Sequence, residues 1–209
     1  MLVTDILEFT KSRYRIFLDY EFAFVLYKGE LHKFGIKKDT EISDDIYNEI
    51  MGKLLPERAR KRAYNLLAER CYTEKQLKDK LSDGGYPQVV IESVIRECAV
   101  HRYVDDGLFA TRYVEQFCQK RSRIRIINDL KLKGISPELI EEAFSTAQGE
   151  GYSSDEISMA VELLKKKKYD PEKTSLQEKQ KLSGFLYRKG FSGDTIRRAL
   201  LLDITLNSV

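Results

Sequence analysis

The chain is poor in the residues that build disulfide frameworks, metal sites and membrane spans. Only three of its 209 residues are cysteine and two are histidine, and no two cysteines form a Cys-x-x-Cys pair. We therefore expect no disulfide framework or zinc site, and three reduced thiols that are core or half-buried: Cys71, Cys98 and Cys118. No apolar run approaches the ~18 residues of a membrane span, and the N-terminus lacks a secretory signal pattern, so we expect a cytoplasmic protein.

The motifs of common enzyme classes are also missing. The sequence has no Gly-rich phosphate loop, no His-Glu-x-x-His and no Gly-x-Ser-x-Gly. Asp105 and Asp106 precede an apolar-periodic segment, which is typical of a helix N-cap followed by a first-turn acid rather than of a catalytic pair. The sequence thus predicts no catalytic residue, no metal ligand and no cofactor.

Glycine and proline, which interrupt helices, are scarce, with 12 and 4 residues, whereas 33% of the chain is charged. This combination favours helices. Opposite charges nearly cancel, leaving a net charge of +3, and 12 Tyr and 10 Phe residues supply apolar rings. Because disordered chains combine low hydrophobicity with high net charge, we expect a folded, mainly α-helical protein of one large or two small domains.

The first 55 residues differ in periodicity from the rest. Between Arg13 and Tyr27 apolar side chains recur at every second position, which predicts strands that turn near residues 19–21. A second turn is expected before a short strand at Leu31–Phe34. Apolar residues four apart after Ser43 predict a helix that covers the sheet. We expect a small β-meander with one helix.

From residue 56 onward the apolar period is helical, and one pattern occurs three times. In each copy, two apolar residues four apart are followed four residues later by a glycine and then at once by another apolar residue. The glycine closes a short helix and the apolar residue packs back on it, after which a second helix begins. The glycines of the three copies are Gly85, Gly134 and Gly190.

A further helix precedes each of these pairs, so each copy is predicted to hold three helices. These first helices are expected at Pro56–Arg70, Asp106–Lys120 and Ser154–Lys168, and the capping box Thr73–Gln76 starts the next helix of the first copy. Tandem three-helix repeats contact mainly their neighbours, so three of them predict an elongated, curved array with an extended binding surface. The predicted organisation is the β-meander and helix in 1–55, repeat 1 in 56–104, repeat 2 in 105–151 and repeat 3 in 152–209.

The repeated segments resemble a known family, the RecX proteins, which modulate the bacterial recombinase RecA. The resemblance covers about residues 57–205 and depends on the order and spacing of several motifs together. These motifs are Arg60–Leu67, Tyr72–Leu77 with Lys80 and Leu81, Val90–Ile95, Tyr103–Val114, Lys131–Ile135 and Ile140–Ala143.

This resemblance implies a non-enzymatic regulator in recombination, DNA repair and the SOS response. Proteins of this family are curved helical-repeat molecules that bind the filament formed by RecA on single-stranded DNA. They act along its helical groove and limit filament growth, ATP hydrolysis and strand exchange. The implied partner is the RecA filament on single-stranded DNA, with direct DNA contact left open, no membrane contact and a monomeric protein.

The net charge is unevenly distributed along the chain: residues 1–55 carry 8 basic and 10 acidic side chains, whereas residues 56–209 carry 28 and 23. Between residues 120 and 133, Asp129 is the only acid among six basic side chains, which predicts a patch that attracts an anionic partner. A solvated helix surface is the alternative, and it is favoured for Lys165–Lys168. Arg58 and its basic neighbours are expected on the outer face of their helix. The candidate partner- or DNA-binding residues are Lys120, Arg121, Arg123, Arg125, Lys131, Lys133, Arg188, Lys189, Arg197 and Arg198.

Two hypotheses of function follow from these observations. In the first, the protein binds RecA filaments through its repeat surface; in the second, the basic patch binds nucleic acid directly and competes for DNA. Tyr86, Tyr103 and Tyr152 lie near turns and are candidates for base stacking, whereas periodic aromatic residues such as Tyr64 and Tyr113 are expected in the core. An enzyme would require an acidic or metal-lined pocket that the sequence does not predict.

Overall fold

The protein is mainly helical, with a small antiparallel sheet at its N-terminus. The computed structural model describes residues 1–202, so the predicted end of repeat 3, residues 203–209, lies outside the described residues. The chain divides into two compact units, one spanning Met1–Asp105 and the other beginning at Asp106.

The sheet of the first unit has three antiparallel strands in the order β1 (Val3–Thr10), β2 (Arg13–Leu18) and β3 (Glu21–Tyr27). The predicted turn joins β2 to β3, with positive φ angles at Asp19 and Tyr20. Sequence periodicity missed β1, because irregularities in its pairing with β2 near both ends break the period of two.

The predicted strand at Leu31–Phe34 is wrong, because residues Lys28–Lys33 form a helix, α1. Its first turn is fixed by Glu30, whose carboxylate accepts the backbone N–H of Tyr27 at 2.6 Å. The same carboxylate pairs with Arg58 at 2.8 Å. An acid in the first turn of a helix stabilises the orphan N–H groups there, and the distant arginine holds the acid in place.

The sequence predicts Arg58 on the outer face of its helix, and this prediction is wrong. Its guanidinium also donates to the backbone carbonyl of Val25 and lies over the rings of Tyr27 and Tyr86, at 5.0 and 5.5 Å from their centroids. Only 19% of its side chain is exposed. Arg58 thus connects the sheet to the first repeat.

The predicted helix after Ser43 is confirmed, and it continues into the repeats. α2 (Asp44–Glu49) is capped by the Ser43 side chain, and a π-helical segment (Ile50–Leu54) joins it to α3 (Leu55–Glu69). The boundary predicted at residue 56 therefore lies within a continuous helical segment.

The first unit is completed by α4 (Glu74–Ser82) and α5 (Gln88–Val100). The capping box that begins α4 is confirmed, since Thr73 accepts the N–H of Gln76 at 3.2 Å and the Gln76 side chain accepts that of Thr73 at 3.3 Å. Leucines of α4, isoleucines of the sheet and valines of α5 share one hydrophobic core.

The second unit consists of six helices within the described residues. Two hydrophobic cores form, one from α6 to α8 and one from α9 to α11. With α3 to α5 of the first unit, nine helices follow the N-terminal region within residues 1–202, which confirms the predicted three helices per repeat. The six are α6 (Asp106–Phe117), α7 (Arg123–Leu132), α8 (Pro137–Gly149), α9 (Glu156–Lys166), α10 (Leu176–Arg188) and α11 (Gly193–Leu201).

The cysteines are placed less uniformly than expected. Cys98 and Cys118 are buried, whereas Cys71 is exposed, so the expectation of a core or half-buried thiol is wrong for Cys71. Cys71 lies between the end of α3 and the N-cap of α4, where its side chain belongs to neither apolar face.

Candidate binding site

The candidate site lies in the second unit, where the start of α7 meets the end of α10. Ser122 caps α7 by accepting the N–H of Arg125 at 3.3 Å, and its hydroxyl donates to the backbone carbonyl of Lys189 at 2.8 Å. Gly190, with φ of 88°, follows that carbonyl. A Cβ atom at Gly190 would lie 2.6 Å from the Ser122 oxygen, so only glycine allows the two helices to approach this closely.

A groove of about 510 Å³ opens at this junction. It brings together five of the ten basic residues predicted from the sequence, although three come from repeat 2 and two from repeat 3. Its lining residues are Lys120, Arg121, Ser122, Arg125, Leu163, Phe185, Arg188, Lys189 and Phe191.

Two of the five cations are partly neutralised by one carboxylate. Asp129, whose side chain is only 10% exposed, pairs with Arg121 at 2.7 Å and with Arg125 at 3.1 Å. Tyr113 donates its hydroxyl to the same carboxylate at 3.2 Å. Burial and then the Asp129 charge raise the pKa of the Tyr113 phenol. Arg121 also lies 4.1 Å from the centroid of the Phe117 ring.

The other three cations of the groove are Lys120, Arg188 and Lys189. All three are exposed, and none forms an ion pair with any residue in the part of the chain that the structure describes. The Lys189 ammonium lies 5.8 Å from the centroid of the Phe185 ring, at the edge of the groove. The groove therefore carries an excess of positive charge that can bind an anionic group.

The remaining predicted residues do not line this groove. Arg123 pairs with Glu141 at 2.6 Å and lies over the Phe144 ring, and Lys133 lies over aromatic rings of α6. Lys131, Arg197 and Arg198 are exposed elsewhere on α7 and α11. The patch predicted between residues 120 and 133 is thus divided over separate surfaces.

Sequence reasoning missed the uncharged lining of the groove. Phe191 is the apolar residue after the third repeated glycine, where the sequence pattern predicts only a packing contact. Leu163 and Phe185 belong to helical apolar faces. Their place in the groove depends on how α9 and α10 pack against the start of α7, which sequence periodicity does not report.

The three tyrosines considered for base stacking differ in their surroundings. Tyr86 is half-buried beneath Arg58, and Tyr152 is exposed. Tyr103 is 56% exposed and contacts a second tyrosine, Tyr64. Tyr64 is itself 37% exposed, so the expectation that it belongs to the core is wrong.

Neither a metal-binding cluster nor a membrane-spanning helix is found among the described residues. Over residues 1–202, no three His, Cys, Asp or Glu side chains are close enough to hold a metal ion. The helices described there are too short or too polar to cross a membrane.

Three family models match the chain in order. They describe the first, second and third three-helix domains of RecX, and they match residues 59–98, 105–143 and 154–200. The chain is also 31% identical over 204 residues to the regulatory protein RecX of Caldanaerobacter subterraneus subsp. tengcongensis, covering 97% of this chain and 100% of that relative. The chain belongs to the RecX family.

Further similarities agree with this assignment. The regulatory protein RecX of Bacillus licheniformis is 31% identical, over 91% of this chain and 72% of its own length. A crystal structure of a regulatory protein RecX superposes with a TM-score of 0.59 at 23% identity, covering 94% of this chain and 97% of that one, and so supports the fold. The three RecX domains fall within the three predicted repeats.

Proposed function

We propose that this protein binds the filament formed by RecA on single-stranded DNA and inhibits ATP hydrolysis and strand exchange by RecA. The observation that carries the proposal is the similarity to regulatory proteins of the RecX family along nearly the whole chain. In this proposal the protein acts as a cytoplasmic monomer, and it regulates recombination and repair without chemistry of its own.

The groove between α7 and α10 is the contact that we propose for the filament. Its five basic side chains are opposed by the single buried carboxylate of Asp129. A RecA filament on DNA carries phosphates and protein carboxylates, and both are ligands for lysine and arginine. The excess positive charge of Lys120, Arg188 and Lys189 makes these three residues the first choice for mutation.

The experiment that tests the function is a titration of RecA with this protein on single-stranded DNA, with ATP hydrolysis as the readout. Inhibition at substoichiometric ratios is expected, because a filament-bound regulator affects many RecA subunits at once. A rate of hydrolysis that stays unchanged over a wide range of ratios would refute the proposal.

The site is tested with a triple charge reversal, Lys120→Glu, Arg188→Glu and Lys189→Glu. We expect the concentration for half-inhibition to rise about tenfold or more, because one hydrogen bond to a charged group contributes about 1.5–3 kcal/mol. The matched control reverses three exposed lysines of the same unit and so makes the same change in net charge. Equal losses in both variants would exclude the groove as the contact. The control residues are Lys165, Lys166 and Lys168.

Reversal of Arg121 or Arg125 is a poorer test of the same surface. Both pair with Asp129, whose side chain is only 10% exposed, so their reversal would leave a buried carboxylate facing another acid. A loss of inhibition could then come from unfolding. The three unpaired cations avoid this problem because exposed substitutions usually change the free energy of unfolding by only about ±0.5 kcal/mol.

A second candidate function is direct binding of single-stranded DNA, and the concentration of five cations in one groove favours it. A gel shift with bare single-stranded DNA separates the two. Binding at physiological salt that the triple charge reversal abolishes supports direct competition for DNA through the groove. Its log K should fall by about 0.7 per phosphate contacted for each unit of log salt. Inhibition of RecA without such binding supports the filament contact.

A further inference from the structure

A cluster of three aromatic rings is exposed on the first repeat, in the unit that does not contain the groove. Tyr64 lies on α3, and His101 and Tyr103 follow α5. The rings of His101 and Tyr103 are stacked with centroids 5.5 Å apart, and the ring of Tyr64 meets that of Tyr103 edge to face at 5.7 Å. We call these three residues the aromatic cluster.

The rings of the aromatic cluster are exposed although they contact one another. Tyr103 is 56% exposed, Tyr64 is 37% exposed, and His101 is also exposed. Aromatic rings usually bury a large apolar area in a core or an interface. Exposed rings grouped at one place are a feature of binding surfaces.

Hydrogen bonds hold the cluster in one arrangement. The Tyr64 hydroxyl donates to the Glu97 carboxylate at 2.8 Å, and Arg60 pairs with the same carboxylate at 3.0 Å. On the other side, the N–H of Tyr103 donates to the carbonyl of Cys98 at 2.9 Å. A ligand that binds such fixed rings loses little of its binding free energy to ordering the protein.

Several exposed basic residues are close to the aromatic cluster along the chain. Arg60 is neutralised by Glu97, but Lys61, Arg96 and Arg102 are exposed and form no ion pair with any residue between positions 1 and 202. Lys61 is three residues before Tyr64 on α3, and so lies on the neighbouring turn of that helix. Arg102 stands between the two stacked rings in the sequence. Lys61, Arg96 and Arg102 are thus all within seven residues of a ring of the aromatic cluster along the chain.

We infer that the aromatic cluster stacks the bases of a single-stranded nucleic acid whose phosphates contact the flanking cations. A base added to the His101–Tyr103 stack continues an arrangement that is already present, and every base offers a π-face for it. The unpaired charges of Lys61, Arg96 and Arg102 are complementary to a phosphate backbone. An apolar peptide would gain nothing from these cations, so the charge favours the nucleic acid.

This site differs from the groove in its residues, and its ligand is single-stranded DNA alone and not the RecA filament. It lies in the unit Met1–Asp105, whereas the groove belongs to the unit that begins at Asp106. It also requires no RecA, so bare single-stranded DNA tests it. A failure of RecA inhibition would leave this inference unaffected, and the reverse is equally true.

The test uses the absence of tryptophan from the natural chain. In the Tyr103→Trp variant, the introduced indole is the only one, and titration with oligo-dT is expected to quench its emission as bases stack on it. The control is Tyr20→Trp in the turn between β2 and β3, a position that is 86% exposed. Fluorescence anisotropy of a labelled oligonucleotide measures binding independently. Equal quenching in both variants, or binding without quenching, would overturn the inference, and so would the absence of binding.

A second variant measures how much the Tyr103 ring contributes to the affinity for DNA. Tyr103→Leu is expected to weaken binding of oligo-dT about 5- to 150-fold, because stacking on one ring contributes about 1–3 kcal/mol. The salt dependence of binding should stay unchanged, since no phosphate contact is removed. Tyr103→Phe keeps the ring and should restore the affinity. Unchanged affinity in Tyr103→Leu refutes the site, and loss of RecA inhibition at unchanged DNA affinity would make the cluster a protein contact instead.

Discussion

Gly190 provides the sharpest test of how the groove is built. Its φ of 88° lies in the left-handed region, and a Cβ atom there would lie 2.6 Å from the Ser122 oxygen and 3.1 Å from the Arg125 nitrogen. Gly190→Ala is therefore expected to lower the free energy of unfolding in two separate ways. One is backbone strain, and the other is displacement of Ser122 from its contacts.

The two costs are estimated from the contacts involved. Left-handed backbone costs a residue with a Cβ about 1–2 kcal/mol. If Ser122 moves, its hydrogen bond to the Lys189 carbonyl and its capping of α7 are weakened, and each is worth about 1 kcal/mol. The expected loss in the free energy of unfolding is about 2–4 kcal/mol. Gly151→Ala is the matched control, because Gly151 has φ of 90° but no atom within 4 Å of the added carbon.

Urea denaturation followed by circular dichroism at 222 nm measures both losses. We expect Gly151→Ala to lose about 1–2 kcal/mol from strain alone, and Gly190→Ala to lose about 1–2 kcal/mol more. Hydrogen exchange should show the additional loss at the start of α7 and the end of α10. Equal losses in the two variants would refute the close approach between Gly190 and Ser122.

Three further predictions concern single side chains. Thr73→Ala removes the cap of α4 and should lower the free energy of unfolding by about 1 kcal/mol in the same urea assay, whereas no change would show that the cap does not contribute. The bond to Glu97, with burial, raises the pKa of Tyr64 from 10.0 to about 12, so its stabilising contribution is complete below pH 10 and is lost as the pH rises through 12. Absorbance titration at 295 nm should therefore lose a late-titrating phenol in Tyr64→Phe, and an unchanged curve would contradict the assignment. Asp129→Asn removes the carboxylate between Arg121 and Arg125, so it should lower the free energy of unfolding by about 1–3 kcal/mol in the same urea assay; an unchanged value would contradict a stabilising role of these ion pairs.

The candidate site could be predicted only in part, because charge and spacing report composition and not geometry. The cluster of basic residues between positions 120 and 133 is evident from the sequence. In the packed helices, Arg123 forms an ion pair with Glu141, and Lys133 lies over aromatic rings. Lys120, in contrast, lines the groove. Lys189 joins Lys120 there although the two are far apart in sequence.

The sequence alone determined the features that depend on neighbouring residues. The three glycine-closed helix pairs follow from apolar spacing and from positions that require positive φ, which Gly85, Gly134 and Gly190 all have. The caps at Thr73 and Ser43 follow from hydrogen bonds that span three residues. These local signals are enough to define three repeats of three helices.

Tertiary structure decided the features whose partners are distant in sequence. Helix α1 replaces a predicted strand because Glu30 is held by Arg58, 28 residues away. The groove exists because Ser122 meets Lys189, 67 residues away, beside a glycine without a side chain. No periodicity encodes such contacts, since they form only when separate helices pack and bring side chains from different repeats within hydrogen-bonding distance.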